Sequence, residues 1–188
     1  MWLTLLVLVL VLALAIWLHI LFDRRRRLRC LFIRLIENFE KENVKYWVDF
    51  GTLLGICREG DIILGDNDAD VCIYDEKENR EKIEKVVYSM GGNYLDWGAY
   101  RVYDKDLFID IYIIKENDGM IITPTGEVIE KDVIEPQERK TVKLGKQEII
   151  VCIPKHIHKV LKNRYGDNWH ISKRKWYGLY IDFDKDFQ

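Results

Sequence analysis

The hydrophobic and polar positions divide the chain into an uninterrupted apolar run and a longer region of mixed pattern. Residues 2–22 contain no charged side chain. As a helix, this run would span roughly 30 Å, about the thickness of the hydrocarbon core of a bilayer. A cleaved signal peptide would begin with basic residues and have a shorter apolar core, whereas here five arginines follow the run. We therefore predict that residues 1–22 form one retained transmembrane anchor and that residues 23–29 form a basic juxtamembrane segment.

The mixed region, residues 30–188, shows helical periodicity alternating with the shorter period of strands, which is typical of one α/β or α+β domain. The pattern predicts helices over residues 28–42 and 76–90, a short helix with Thr52 as its N-cap, and a last helix beginning at Pro154. It predicts strands over residues 46–50, 69–74, 94–103, 107–114 and 148–153, and a polar loop over residues 115–146. We expect a mixed sheet with flanking helices, preceded by the single membrane helix.

The charge of this domain excludes one class of partner. The chain has 29 basic and 31 acidic residues, and five of the basic residues together with Asp23 lie in residues 23–29. Residues 30–188 therefore carry 24 basic and 30 acidic side chains, a net charge of −6. A domain that binds nucleic acid usually shows a basic surface. We predict no nucleic-acid partner.

The arginines also predict the orientation in the membrane. All flanking basic residues follow the apolar run, so the positive-inside rule places the domain after them in the cytosol. The absence of an Asn-x-Ser/Thr sequon agrees with this placement. The four cysteines lack CxxC spacing and are expected to be reduced.

The segment of residues 47–74, WVDFGTLLGICREGDIILGDNDADVCIY, contains the residue types that hold a metal beside a phosphate. Asp68 and Asp70 lie two positions apart in a predicted strand, so their side chains point to one face. Two adjacent carboxylates repel unless a cation lies between them, and oxygen ligands suit Mg²⁺ or Mn²⁺. Asp110, within an apolar strand pattern, is the candidate for a third ligand because a lone carboxylate is seldom buried without a partner.

Three neighbouring residues extend this candidate site. Asp66 is expected to reach the metal or to orient a water, and Gly51 and Thr52 lie at a predicted helix N-terminus whose N–H groups can receive a phosphate. An EF-hand counted from Asp66 fails, because Val71 and Lys77 stand where the motif requires Gly and Glu, and the Gly-Lys-Ser/Thr of a P-loop is absent. For the Asp-x-Asp pair alone, a solvated acidic turn would remain the simpler interpretation.

Other candidates are better explained by structural roles. His156 and His158 alternate on a predicted helix, so a zinc site with Cys152 is disfavoured. Neither serine stands in a Gly-x-Ser-x-Gly setting, which disfavours a serine hydrolase. Tyr165 and Trp169 are expected to close the core, with a sugar platform as the alternative.

These motifs together resemble a known family. GTLLGICREG followed by ILGDNDADV is similar to the LicD/fukutin family of phosphotransferases, whose pattern runs roughly GTLLGxxR…IPxDxDxD. Later parts of this chain also resemble the family: FIDIY around Asp110, VIEP through Pro136, VCIPK at 151–155 and LKNRYGDNW at 161–169. The resemblance covers roughly residues 30–170. It departs at Leu64-Gly65, where the family usually has Pro-Trp or a similar pair.

The resemblance implies a nucleotidyltransferase-like fold and a function. Such a protein would use a divalent metal to move a phosphocholine or a phospho-alditol or phospho-sugar group from a CDP-linked donor to a glycan hydroxyl. The alternatives are a true nucleotidyltransferase that releases pyrophosphate, and a membrane-tethered binding module without catalysis. Eukaryotic members of the family typically work in the Golgi lumen, which is the alternative to the cytosolic placement.

The resemblance also implies roles for individual residues. It implies metal ligation by Asp68, Asp70 and Asp110, a supporting or acid–base role for Asp66, and contacts of Gly51 and Thr52 with donor phosphate. Either Asp110 or Asp66 would accept the proton of the acceptor hydroxyl. Arg58 matches the family arginine and would bind phosphate oxygens, with an ion pair to Glu59 or Asp61 as the alternative. Arg101 is expected either to reach the donor or to pair across its strand.

Overall fold

The chain begins with one long helix, α1 (Trp2–Glu42), which joins the apolar run and the predicted amphipathic helix without a break. The computed structural model describes residues 2–171, 173–176 and 179–182, the last two segments by their backbone alone. Side chains of residues 2–20 are exposed, and the buried side chains of α1 begin at Leu28. An 18-residue window of α1 has a mean hydropathy of 3.0, which makes the helix long and apolar enough to cross a membrane. Signal sequences share these properties, so the membrane span stays a prediction.

A mixed sheet forms the centre of the domain, which confirms the predicted fold class. Its strands are β1 (Trp47–Val48), β2 (Asp68–Tyr74), β3 (Asn93–Leu95), β4 (Ala99–Asp104), β5 (Leu107–Asn117), β6 (Met120–Ile122) and β7 (Val128–Glu130). The main path runs β1-β2-β5-β4-β3, and β6 and β7 extend it from the end of β5. The β2–β5 pair is parallel, and the other pairs of this sheet are antiparallel.

Helices and two further hairpins surround this sheet. They are α2 (Phe50–Glu59), α3 (Lys77–Ser89), α4 (Lys131–Ile134), α5 (Ile157–Tyr165), the hairpin of β8 (Gln137–Leu144) with β9 (Gln147–Pro154), and the hairpin of β10 (Lys173–Trp176) with β11 (Leu179–Asp182). Both α1 and α3 pack against β4, and α1 also contacts β2 and β5. The side chains of β2 and β5 that alternate with the aspartates are buried in this core: Ala69, Val71, Ile73, Ile109, Ile111 and Ile113. The aspartates therefore lie on the face opposite to α1.

The start of α2 differs from the prediction. The N-cap is Asp49, whose carboxylate accepts a hydrogen bond from the Phe50 N–H at 2.8 Å, so Thr52 lies inside the helix. The strand predicted for residues 46–50 ends at Val48 for the same reason. Aspartate and threonine are both good N-caps, and the tertiary contacts of the buried Asp49 decide between them.

The prediction of a loop over residues 115–146 was wrong. β5 continues to Asn117 and turns through Asp118-Gly119 into β6, with φ angles of 48° and 73° at the two turn residues. Two consecutive positive φ angles are typical of the type I′ hairpin turn, for which Asp-Gly is a favoured sequence. β7, α4 and β8 follow, and most side chains of β8 are exposed, so its polar composition resembles that of a loop.

The limits of two other predicted elements also differ from those in the structure. The strand predicted for residues 94–103 is divided into β3 and β4 by a turn that ends at Gly98, with a φ of 98°. The last helix begins at Ile157 rather than Pro154, because Pro154 still pairs with Gln137 in the β8–β9 hairpin.

Candidate active site

Two adjacent parallel strands place the predicted carboxylates side by side. Asp70 of β2 is in register with Asp110 of β5, and Asp68 lies two positions before Asp70 on the same face. The side chains of Asp70 and Asp110 are buried, and that of Asp68 is half-buried. The structure thus places the three proposed metal ligands on neighbouring positions in the first halves of β2 and β5.

The protonation behaviour of these carboxylates reflects their crowding. Burial, together with the charges of Asp68 and Asp110, raises the pKa of Asp70 to about 8. Burial also raises the pKa of Asp68, with Asp110 as a second cause. Negative charge at this position is costly, and a bound divalent cation would offset this cost.

Arg101 pairs across its strand with Asp110, which is one of its two predicted roles. Its Nε and Nη2 donate to the two oxygens of Asp110 at 2.5 and 2.8 Å, and the residues are register neighbours on β4 and β5. The guanidinium lies 3.9 Å from the centre of the Phe108 ring. The hydrogen bonds to Asp110 raise the pKa of Arg101, so the guanidinium stays charged. Arg101 therefore neutralises one of the three carboxylates.

The donor atoms fit a divalent cation held by two carboxylates. Among the described residues, no three His, Cys, Asp or Glu side chains converge as a complete metal cage requires. Asp68 and Asp70 nevertheless offer two carboxylates on one face, and Mg²⁺ is often bound by one or two carboxylates together with substrate phosphates and water. Asp110 is the less available third ligand, because each of its oxygens already accepts a hydrogen bond from Arg101.

Gly51 and Thr52 hold Asp70 from the first turn of α2. The Gly51 N–H donates to Oδ2 of Asp70 at 3.2 Å, and the Thr52 hydroxyl accepts from the Asp70 N–H at 2.7 Å. A Cβ at position 51 would lie 3.4 Å from Oδ2 of Asp70 and 3.8 Å from Oδ2 of Asp66. Glycine thus permits a close approach to both carboxylates. Contact of these residues with a phosphate stays a prediction.

Removing the Thr52 hydroxyl is expected to destabilise the domain. Thr52→Val keeps the shape of the side chain but leaves the buried N–H of Asp70 without its acceptor, which costs about 1–3 kcal/mol. Thr52→Ser retains the hydroxyl and serves as the matched control. Urea denaturation measures both free energies of unfolding. Equal stability of the valine and serine variants would contradict the assigned hydrogen bond.

Arg58 lies away from this group of residues. It is in the last turn of α2, where its Nη2 lies 3.1 Å from Oε1 of Glu59. Arg25 of α1 approaches the same Glu59 at 3.6 Å. The described contacts of Arg58 thus match the predicted ion-pair alternative, and a role in phosphate binding stays untested.

A buried ion pair next to the site was missed by the sequence analysis. Asp49 is fully buried and accepts from Nε and Nη2 of Arg164 at 2.8 and 2.7 Å. The indole N–H of Trp47 donates to the same carboxylate at 3.1 Å, and Arg164 also binds Glu127. This pair joins α5 to the start of the helix that positions the carboxylates. The available sequence signal was an aspartate directly after an apolar strand pattern.

Aromatic rings line the site beside the carboxylates. The Tyr112 ring centre lies 4.9 Å from that of Phe50 and 5.7 Å from that of Trp97. Burial, together with the charges of Asp70 and Asp110, raises the pKa of the Tyr112 hydroxyl. Phe50 has a φ of 49°, a left-handed conformation that is unusual for a residue with a side chain and is found at functional sites.

Tyr165 and Trp169 take different positions. The Tyr165 ring is 42 % exposed, and burial of its hydroxyl together with the charge of Asp70 raises its pKa. Tyr165 therefore borders the candidate site rather than closing the core. Trp169 packs against the hydrophobic core and contacts His158 at a ring distance of 5.3 Å, in agreement with the predicted core role.

The chain is similar to a protein of unassigned function and to several solved structures, two of which are given below. Uncharacterized protein RP689 of Rickettsia prowazekii (strain Madrid E) is 36 % identical over 89 residues, which are 46 % of this chain and 33 % of that protein. The chain thus spans about a third of the length of this relative. A solution structure of the antibiotic-resistance factor ANT(2'')-Ia is 22 % identical with a TM-score of 0.38, covering 47 % of this chain and 48 % of that one. A crystal structure of ANT(2'')-Ia with adenylyl-2''-tobramycin is 21 % identical with the same TM-score, covering 49 % and 52 %.

The family assignment depends on a different match. The family model described as LicD/FKTN/FKRP, nucleotidyltransferase domain, matches residues 43–137. This range is half of the chain and contains β2 and β5 with all of the candidate carboxylates. The chain belongs to the LicD/FKTN/FKRP family of nucleotidyltransferase domains.

Proposed function

We propose that this protein is a divalent-metal-dependent phosphotransferase. It would move a phosphocholine, phospho-alditol or phospho-sugar group from a CDP-linked donor to a glycan hydroxyl. Family membership supports a transferase of this general type. The observation that carries the proposal is the row of carboxylates on β2 and β5, where burial and mutual repulsion raise the pKa of Asp70 to about 8.

The carboxylates of β2 would hold the metal. Asp68 and Asp70 are the ligands in this proposal, and bound Mg²⁺ or Mn²⁺ would neutralise the donor pyrophosphate and polarise the phosphorus. Gly51 and Thr52 fix Asp70 by two hydrogen bonds, so the ligand is oriented before the donor binds. Hydrogen-bond donors that are fixed before the reaction are effective because they need no rearrangement during it.

Of the two candidate bases, Asp66 and Asp110, we favour Asp66. Asp110 is buried and both of its oxygens accept hydrogen bonds from Arg101, whereas Asp66 is half-buried and more accessible to an acceptor hydroxyl. Asp66 lies beside Gly51 next to the proposed metal ligands. In the proposed reaction the acceptor oxygen forms a bond to the phosphorus of the transferred group, and Asp66 takes the hydroxyl proton. The bond from that phosphorus to the CMP oxygen breaks, and CMP leaves.

Identification of the products tests this proposal against the alternatives. The full-length protein in detergent or vesicles is incubated with Mn²⁺ and with CDP-choline, CDP-ribitol, CDP-glycerol or CTP, and products are identified by mass spectrometry. Free CMP with a phospho-group on the acceptor is expected. Pyrophosphate from CTP would instead support a true nucleotidyltransferase, an alternative favoured by the description of the family domain. No product and no Mn²⁺-induced thermal stabilisation would support a binding module.

The proposed location is a membrane. We propose that residues 2–22 anchor the chain as a single span, with the catalytic domain in the cytosol by the positive-inside rule and the Golgi lumen as the alternative. In sealed vesicles whose cytosolic side faces outward, we expect added protease to digest the C-terminal domain. Protection of the domain would contradict the cytosolic placement.

A further inference from the structure

The arginines that follow the apolar run are bound to the folded domain. Arg24 lies 3.1 Å from Asp106, and Arg27 lies 2.7 Å from Asp106 and 3.2 Å from Asp104. Nη2 of Arg27 also donates to the carbonyl oxygen of Asp104 at 3.2 Å. Asp104 is the last residue of β4, and Asp106 lies in the turn that leads to β5. The side of α1 that carries Arg24 and Arg27 is therefore bound to the turn between β4 and β5.

A neighbouring side of α1 binds the loop between α2 and β2. Arg25 lies 3.6 Å from Glu59 and 3.5 Å from Asp61, and Arg29 lies 3.1 Å from Asp61. The side chains of Arg25 and Asp61 are only 14 % and 12 % exposed. A Cβ at Gly145, in the turn between β8 and β9, would collide with the Arg29 guanidinium. Three separate turns of the domain therefore enclose the segment of residues 24–29, here called the arginine segment.

The arginine segment consequently connects the apolar run of α1 rigidly to the folded domain. Its charges are largely matched by acidic groups of the domain, so little positive charge is left for anionic lipids. Each exposed ion pair contributes only about 0–1 kcal/mol, but several pairs on one continuous helix fix the direction of α1 relative to the sheet. Buried apolar contacts of α1 begin at Leu28 and continue this attachment.

This connection places the carboxylates close to the end of the apolar run. Arg27 follows Phe22 by five residues, or about 7 Å of helix. Asp110 follows the arginine-bound Asp106 by four residues, or about 13 Å of strand, and Asp68 pairs with Phe108, which is closer still. The candidate site is therefore separated from the last apolar residue by about 7 Å of helix, the Arg27–Asp106 ion pair and about 13 Å of strand.

We propose that the arginine segment fixes the carboxylate face at the membrane surface, so that the acceptor hydroxyl belongs to a glycan carried by a lipid in the same membrane. This inference rests on the proposed phosphotransferase function and on the proposed anchor. A site confined to a thin layer beside the membrane meets membrane-held acceptors at a high effective concentration. A flexible linker would leave the domain free to turn away from the bilayer, and the three enclosing turns prevent this.

The position of the site can be measured without any chemistry. A fluorophore placed at the exposed Asn67 of the full-length protein reports its distance to headgroup acceptors in phosphatidylcholine vesicles by energy transfer. We expect a single narrow distribution of this distance, because the helix, the ion pairs and the strand between the two points hold one arrangement. The triple variant Asp61→Asn, Asp104→Asn, Asp106→Asn should give a longer or broader distance distribution. Glu116→Gln, which removes an ion pair with Lys131 elsewhere, is the matched control and should change nothing. An unchanged distribution in the triple variant would overturn the role of the arginine segment.

The acceptor class is tested with a CDP-linked donor labelled in its transferred phosphate. Two preparations are compared. In the first, the vesicles are made from the total lipid extract of the host membrane. In the second, the vesicles are plain and the water-soluble glycans of the same host are added outside them. We expect label in the lipid fraction, reduced at least tenfold in the triple variant. Label only in the soluble glycans would overturn this inference and leave the proposed function intact. Label in neither fraction would contradict the proposed function itself, and the inference with it.

Discussion

Asp70→Asn is expected to abolish turnover and, without divalent metal, to make the folded domain more stable than the wild type above pH 8. The folded-state pKa of Asp70 is about 8, raised from 3.8 by burial and by the charges of Asp68 and Asp110. Between these two values the folded protein binds a proton that the unfolded chain releases. Wild-type stability therefore falls as the pH rises from about 4 to about 8, and the full penalty is present above pH 8. Asparagine carries no charge, so the variant escapes this penalty.

Thermal unfolding in EDTA at pH 5 and pH 9 measures this difference. The variant should melt at the higher temperature at pH 9, and its advantage over the wild type should be clearly smaller at pH 5. Asp132→Asn, at a side chain that is 71 % exposed, is the matched control and should leave both values unchanged. Mn²⁺ should stabilise the wild type much more than Asp70→Asn, because a ligand that binds the folded state stabilises it by mass action. Wild-type turnover in Asp70→Asn, or a lower melting temperature at pH 9, would refute the assigned role.

Arg164→Met is expected to destabilise the domain by about 3–5 kcal/mol, because it leaves the carboxylate of Asp49 buried without its charged partner. That is a large part of the total stability of a domain of this size, so part of the population would be unfolded near physiological temperature. Activity should fall together with stability, since the pair holds the start of α2 beside the proposed metal ligands. Urea denaturation measures the loss.

Two further variants distinguish a lost ion pair from a lost side chain. Lys162→Met changes an exposed residue of the same helix and should cost almost nothing. The double variant Asp49→Asn, Arg164→Met should be more stable than Arg164→Met, because it no longer buries an unpaired charge. Equal stability of Arg164→Met and Lys162→Met would show that the pair has no such role.

The carboxylate row could be predicted from the sequence because it depends on short-range rules. Side chains two positions apart on a strand share a face, so Asp68 and Asp70 needed no long-range information. A carboxylate within an apolar strand pattern marked Asp110 as unusual. The in-register pairing of Asp70 with Asp110 then depended on two strands lying next to each other, which the structure supplies.

Features that depend on contacts between distant residues were not predictable in the same way. Asp49 is the N-cap of α2 where Thr52 was expected, and its buried carboxylate is paired with Arg164, 115 residues later. The sequence could not decide whether Arg101 reaches the donor or pairs across its strand. The register of β4 and β5 places it opposite Asp110. The β5–β6 hairpin was missed for another reason, since its Asp118-Gly119 turn is a local signal that the polar composition of the region obscured.

CMP release from a CDP-linked donor tests the central claim most directly, measured with Mn²⁺ and with EDTA for the wild type and for folded Asp70→Asn. The account predicts CMP release that requires Mn²⁺ and that falls by at least about 100-fold in Asp70→Asn, the usual size of the loss when a group that stabilises developing charge is removed. CMP release that persists in EDTA, or that is equal in the two proteins, would contradict it.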